Sequence, residues 1–155
     1  IESDGERVFD WVYRNTGELS VTNQDDGERV ELMGSSAAYG NLQNVVAYEC
    51  DQGQMTHAAW DDKGIQIHLH VVASAPYTLL TAAGPAVSPA ETMDMVLVRQ
   101  QGTGAWYVAV FDLDSTPSVE KVRVEEREDT LRIYVETRHG LEVYDVKSGV
   151  VTPGS

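Results

Sequence analysis

Three histidines in a short stretch are the first residues whose types and spacing could do chemistry. His57, His68 and His70 fall within residues 55–72, where two alternating runs meet at Asp61-Asp62-Lys63-Gly64, and the Asp and Gly there predict the turn of a β-hairpin. With Asp62 and Lys63 as central residues, Trp60 faces Ile65, Ala58 faces Ile67 and Thr56 faces Leu69 on a dry side. His57 then faces His68, and Met55 faces His70, on a polar side. Imidazoles so placed could share a zinc ion, which needs three or four ligands at about 2.0–2.1 Å. The sequence places no carboxylate or cysteine to complete that shell, and histidines on a half-buried strand are more often surface or hydrogen-bonded residues than ligands. Neither a metal nor any other cofactor is therefore assigned.

The second constellation is Asp10, Trp11, Tyr13 and Arg14, in the run Phe-Asp-Trp-Val-Tyr-Arg. An aromatic ring can stack on a sugar face, a guanidinium can hold a carboxylate with two hydrogen bonds, and Tyr13 could donate or accept a proton if its pKa were lowered. A packing reading stands beside this one. Phe9, Trp11 and Tyr13 share one face of an extended strand and could be core, while Asp10 could pair with Arg14.

Other chemistries find less support. Cys50 is the only cysteine, which rules out an internal disulfide and a Cys-rich zinc module, and it has no catalytic motif around it. Gly102 and Gly104 read as a hairpin tip rather than a phosphate loop. The carboxylates Asp61-Asp62 and Asp112 with Asp114 sit at expected turns, where turn chemistry explains them without calcium.

The elements that must position these groups are strands. Residues 7–13, 18–22, 45–49, 77–82, 95–99, 105–113 and 119–124 each carry a β-branched, aromatic or alternating pattern, and the pattern continues through Leu131, Ile133, Val135, Leu141 and Val143. Residues 95–99 and 105–113 form an expected second hairpin, with Arg99 opposite Trp106 and Leu97 opposite Val108. Residues 23–28, 32–44 and 84–89 read as loops, the second able to hold a short helical turn. No run keeps the apolar spacing of an amphipathic helix. About a dozen short strands joined by turns predict an all-β fold, an antiparallel β-sandwich forming a single domain over residues 1–155.

The balance of 11 basic against 25 acidic residues, a formal charge of −14, argues against nucleic acid or an anionic membrane as partner. A solvated surface accounts for that excess without any ligand. No stretch is long and apolar enough to be a membrane-spanning helix.

The order of three segments is distinctive: Phe-Asp-Trp-Val-Tyr-Arg-Asn-Thr-Gly at 9–17, Tyr-Gly-Asn-Leu-Gln-Asn-Val at 39–45, and Ala-Ala-Trp-Asp-Asp-Lys-Gly-Ile-Gln-Ile-His-Leu at 58–69. Residues 79–86, 95–102 and 106–111 continue the succession. Together they resemble the C-terminal β-sandwich domain of heparinase II/III-like polysaccharide lyases, the group that includes oligoalginate lyases. The resemblance implies the C-terminal portion of a longer protein whose partner is an N-terminal helical toroid, domain or chain, and an acidic polysaccharide substrate cut by β-elimination between the two. It implies Tyr13 as a catalytic residue, with Asp10, Trp11 and Arg14 binding substrate, and a secreted or periplasmic setting. In the family the first motif commonly carries a histidine where this chain has Arg14, and Arg7 stands where an upstream histidine is expected. Arginine stays protonated and can clamp a uronate, but it cannot shuttle a proton. The rival expectation is a non-catalytic carbohydrate-binding or protein-interaction module on the same scaffold.

Overall fold

The computed structural model describes residues 2–22, 27–32, 39–86 and 91–154, with side chains from Gly5 onward. Thirteen strands follow one another: β1 (Glu2–Asn15), β2 (Glu18–Thr22), β3 (Glu28–Arg29), β4 (Gln43–Cys50), β5 (Thr56–Asp62), β6 (Ile65–Ala73), β7 (Tyr77–Pro85), β8 (Thr92–Gly104), β9 (Tyr107–Asp112), β10 (Val119–Arg127), β11 (Thr130–Thr137), β12 (Gly140–Lys147) and β13 (Val150–Pro153). All pairings are antiparallel, in three sheets ordered β1-β8-β7-β4-β3, β2-β5-β6-β9 and β10-β11-β12-β13. The fold is the expected all-β sandwich.

The first two sheets form the sandwich proper. Alternate residues of β5 (Ala58, Trp60) and β6 (Leu69, Val71, Ala73) meet Leu79 of β7 and Val96 and Val98 of β8, and none of these is more than 4 % exposed. Period-2 alternation delivers one apolar face from each strand, and stacking two such faces removes both from water. The outer face of the first sheet is covered by Val30, Leu32, Tyr39 and Leu42, which pack on Leu80, Ala82 and Leu97. Tyr39–Leu42 closes as a turn; most of the loop expected there, residues 33–38, and parts of those expected at 23–28 and 84–89 lie outside the described residues.

Two expectations are corrected. The central hairpin turns on Lys63 and Gly64, not Asp62 and Lys63, so Trp60 faces Ile67, Ala59 faces His68 and His57 faces His70. Lys63 and Gly64 have φ of 56° and 88°, and a two-residue turn with positive φ at both centres matches the twist of the strands it joins. The histidines keep a common face because the register moves by two residues.

The second hairpin does not form. β8 pairs with β1 and β7, while β9 pairs with β6 in the other sheet, so Arg99 stands opposite Asp10 and Thr78 rather than Trp106. Val96, Leu97 and Val98 are fully buried on both faces, which suits a strand inside a sheet. Gly102 and Gly104 are no hairpin tip: they pair with Arg7 and Glu2 across a register shift at the sheet edge.

The third sheet is a meander laid over the outer face of the second. Val122 of β10 packs with Val72 and Val108, flanked by Met55, Trp106, Val110, Val124 and Ile133. On this face, expected to be polar, His68 and His70 are buried.

Candidate functional site

Strand alternation divides the four residues proposed from the sequence between two faces of β1. Trp11 and Tyr13 point into the sandwich, where Tyr13 meets Trp60 edge-on at 5.2 Å and Phe111 at 4.8 Å between ring centroids. Both rings are partly buried and pack against the core of the sandwich. Asp10 and Arg14 lie on the opposite face.

Asp10 does not pair with Arg14. Its carboxylate accepts from Arg99 Nε at 2.8 Å and Nη2 at 2.9 Å, and from the Tyr39 hydroxyl. Arg99 also lies over the Tyr39 ring, 5.2 Å from its centroid. Burial opposes ionisation of Asp10, yet the hydrogen bonds from Arg99 and Tyr39 outweigh it and hold the carboxyl below its usual range. Through these bonds Asp10 anchors the covering segment around Tyr39.

Arg14 is exposed, and its Nη1 donates to the carbonyl oxygen of Pro85 at 3.0 Å. That bond ties the end of β1 to the end of β7 beside a cleft of about 480 Å³, lined by Asn15, Thr16, Gly17, Ala86, Glu91 and Asp94 among others. Asn15 and Ala86 are the residues that follow Arg14 and Pro85 in the chain. Asp94 is fixed from two sides, its Oδ2 accepting from the Leu19 amide and its carbonyl oxygen from Trp60 Nε1, both at 3.2 Å. Gly17 allows the β1–β2 turn that forms the floor: its φ is +101°, and a Cβ there would stand 2.5 Å from the Asp61 carbonyl oxygen.

The histidines gather on the enclosed face of the second sheet. His57 Nδ1 lies 2.6 Å from Thr22 Oγ1, and His57 Nε2 lies 3.1 Å from His68 Nδ1. His57 stacks on His70 with centroids 4.6 Å apart and planes 8° from parallel. Imidazole lone pairs lie in the ring plane, so two stacked parallel rings cannot both aim at one ion. Among the described residues no group of three or more His, Cys, Asp or Glu is arranged to hold a metal. Burial, reinforced by His57, lowers the His70 pKa to about 4; burial also lowers that of His57, helped by His68 and opposed by Asp112.

Asp112 stands opposite His68 on β9. Its carboxylate accepts from the amides of Asp114, Ser118 and Val119 and from the Ser118 hydroxyl, clasping the connection that leads to β10. Turn chemistry was the expected role of Asp112 and is what this clasp performs. Asp94 and Tyr39 read in the sequence as ordinary strand and loop residues, and Arg99 only as a partner for Trp106; the pairing of β1 with β8 is what brings Arg99 to Asp10.

A scan against protein-family models finds no match to this chain, and neither does a search of curated proteins.

Proposed function

We propose that this chain is the accessory β-sandwich of a polysaccharide lyase acting on uronic-acid polymers, and that the cleft beside Arg14 is its contribution to the substrate site. The observation that carries this reading is the exposed Arg14 guanidinium, within the first segment resembling the lyase domain, bonded to Pro85 beside a cleft of about 480 Å³ whose lining includes Asn15 and Ala86. A guanidinium is the side chain best suited to a sugar carboxylate, because it offers two parallel donors and stays charged. In β-elimination the carboxylate must be neutralised as the neighbouring proton leaves, and Arg14 is suited to that role. The proton-transfer groups come from the helical toroid partner, so the chain alone binds without cutting. An exported setting follows from a polymeric extracellular substrate.

The test uses the chain with short oligouronates of alginate and of glycosaminoglycans. Nuclear magnetic resonance titration should move the amides of Asn15, Thr16 and Glu91, Arg14→Ala should abolish those shifts while the melting temperature holds, and no unsaturated product should absorb in the ultraviolet. Turnover by the chain alone, or binding indifferent to Arg14→Ala, overturns the reading.

A specific observation favours a second reading, a non-catalytic module for neutral glycans or a protein. Of the 11 basic residues only Arg7, Arg14, Arg29, Lys63 and Arg99 precede Val119, so the sandwich carries most of the negative charge, and that field repels a polyanion. Shifts at the same cleft with neutral oligosaccharides and none with uronates would select it.

A further inference from the structure

The enclosed face of the second sheet carries a row of three imidazoles whose hydrogen bonding has room for few protons. His68 and His70 are 4 % and 2 % exposed, and His68 Nε2 and both ring nitrogens of His70 are buried without a hydrogen-bond partner. In the contact between His57 Nε2 and His68 Nδ1, one nitrogen must carry a proton and the other a lone pair. A single added proton is compatible with that contact. A second puts N–H against N–H, and a cationic His70 has no acceptor for either N–H while stacked on His57.

The layer that packs on this same face of β6, where Val72 lies two residues beyond His70, is β10–β13. Among the described residues the sheet β10-β11-β12-β13 shares no ladder with the other two. It is held on that face by apolar contact of Val122, Val124 and Ile133 with Val72 and Val108, by the Trp106 Nε1 bond to Glu126, and by the Asp112 clasp at its entry. Among the described residues, the row is met from neighbouring strands by Thr22 of β2, which is neutral, and by Asp112 of β9, whose charge favours protonation of His57 and His70. Asp112 already accepts four hydrogen bonds, so it moderates the added charge without offering the imidazolium a free acceptor.

We propose that the row His57-His68-His70 is an acid-sensitive latch, whose protonation releases the β10–β13 layer from the sandwich while the sandwich itself stays folded. The sign follows from His57 and His70: both bind protons more weakly folded than released, so acidification drives release, beginning below the ordinary histidine value of 6.5 and extending toward about 4 for His70. The inference is independent of the reading of the Arg14 cleft.

Hydrogen exchange of the full chain, corrected for intrinsic rates, tests it between about pH 7.5 and about pH 4.5. Val122 and Val135 should lose protection by about tenfold more than Leu79 and Val98, in step with titration of the histidine ring carbons. His70→Phe keeps a ring stacked on His57 and should blunt the loss. Equal loss in both layers, no loss in either, or an undiminished loss in His70→Phe overturns the latch. Should that variant not fold, the unsubstituted chain decides: histidine rings titrating near the ordinary value with Val122 protection unchanged also overturns it.

Discussion

Asp10 and Arg99 face each other across β1 and β8 and form a two-pronged ion pair that is only 13 % and 20 % exposed. Removing one partner leaves the other partly buried and uncompensated, which costs more than the net worth of the pair. Asp10→Asn should therefore lower stability by about 2 kcal/mol at neutral pH, seen as an earlier urea midpoint at unchanged slope. The folded pKa is depressed below the ordinary 3.8, so this contribution is present above that value and is lost as pH falls through the folded value. The gap between the two proteins should accordingly narrow in strong acid. A gap constant with pH would mean that the charge of Asp10 is not what stabilises.

Trp60 is 1 % exposed at the centre of the sandwich and donates its indole N–H to Asp94. Trp60→Ala opens a cavity that facing sheets cannot close and should cost about 3–5 kcal/mol. Trp60→Phe keeps most of the volume but strands the Asp94 carbonyl, and should cost less, about 1–3 kcal/mol. Because Asp94 borders the Arg14 cleft, the Phe variant should also disturb the amide signals of Thr92 and Met93. Chemical denaturation and amide spectra check both; a Phe variant as damaged as the Ala variant would make the hydrogen bond, not the volume, the larger factor.

Two glycines with positive φ separate conformational cost from collision. Gly64, at φ +88°, has open space where a Cβ would go, whereas Gly17, at φ +101°, has the Asp61 backbone 2.5 Å away. Gly64→Ala should cost about 1 kcal/mol, and Gly17→Ala should cost clearly more because backbone must move. Thermal melts rank them; equal losses would contradict the close approach at Gly17.

Much of this was legible in residue alternation. The pattern of residues 7–13 already divides β1 into an aromatic face and a face with Val8, Asp10, Val12 and Arg14, and Val8 and Val12 are indeed 55 % and 45 % exposed. The bounds of β2 and the common face of the three histidines follow from the same period. Pairing at long range does not. Arg99 lies 89 residues from Asp10, so no local pattern joins them, and the local alternative, Asp10 with Arg14, is closer in sequence but reaches a different partner. The glycines after β8 imitate a hairpin because a tip and a bulged strand end both require small residues. The third layer was hidden for a different reason: a row of histidines reads as a wet face, yet His68 and His70 are interior, and β10 returns onto the same face through Val72 and Val108.

The central turn provides the last expectation. Lys63 is exposed and non-glycine at φ 56°, a conformation that Asn adopts more readily than Lys, and Asn-Gly is the preferred pair for a turn with both centres at positive φ. Asp61 already fixes the loop by accepting from the Gly64 amide and the Gln66 side chain, both at 2.9 Å, and Lys63→Asn disturbs neither bond. The variant should gain about 0.5 kcal/mol, a rise in melting temperature of about 1–2 °C for a chain of this size. Lys63→Val should lose stability instead, because a branched Cβ resists positive φ. If Val were tolerated at position 63 but damaging at position 62, the turn would sit one residue earlier, and His57 would face His68 after all.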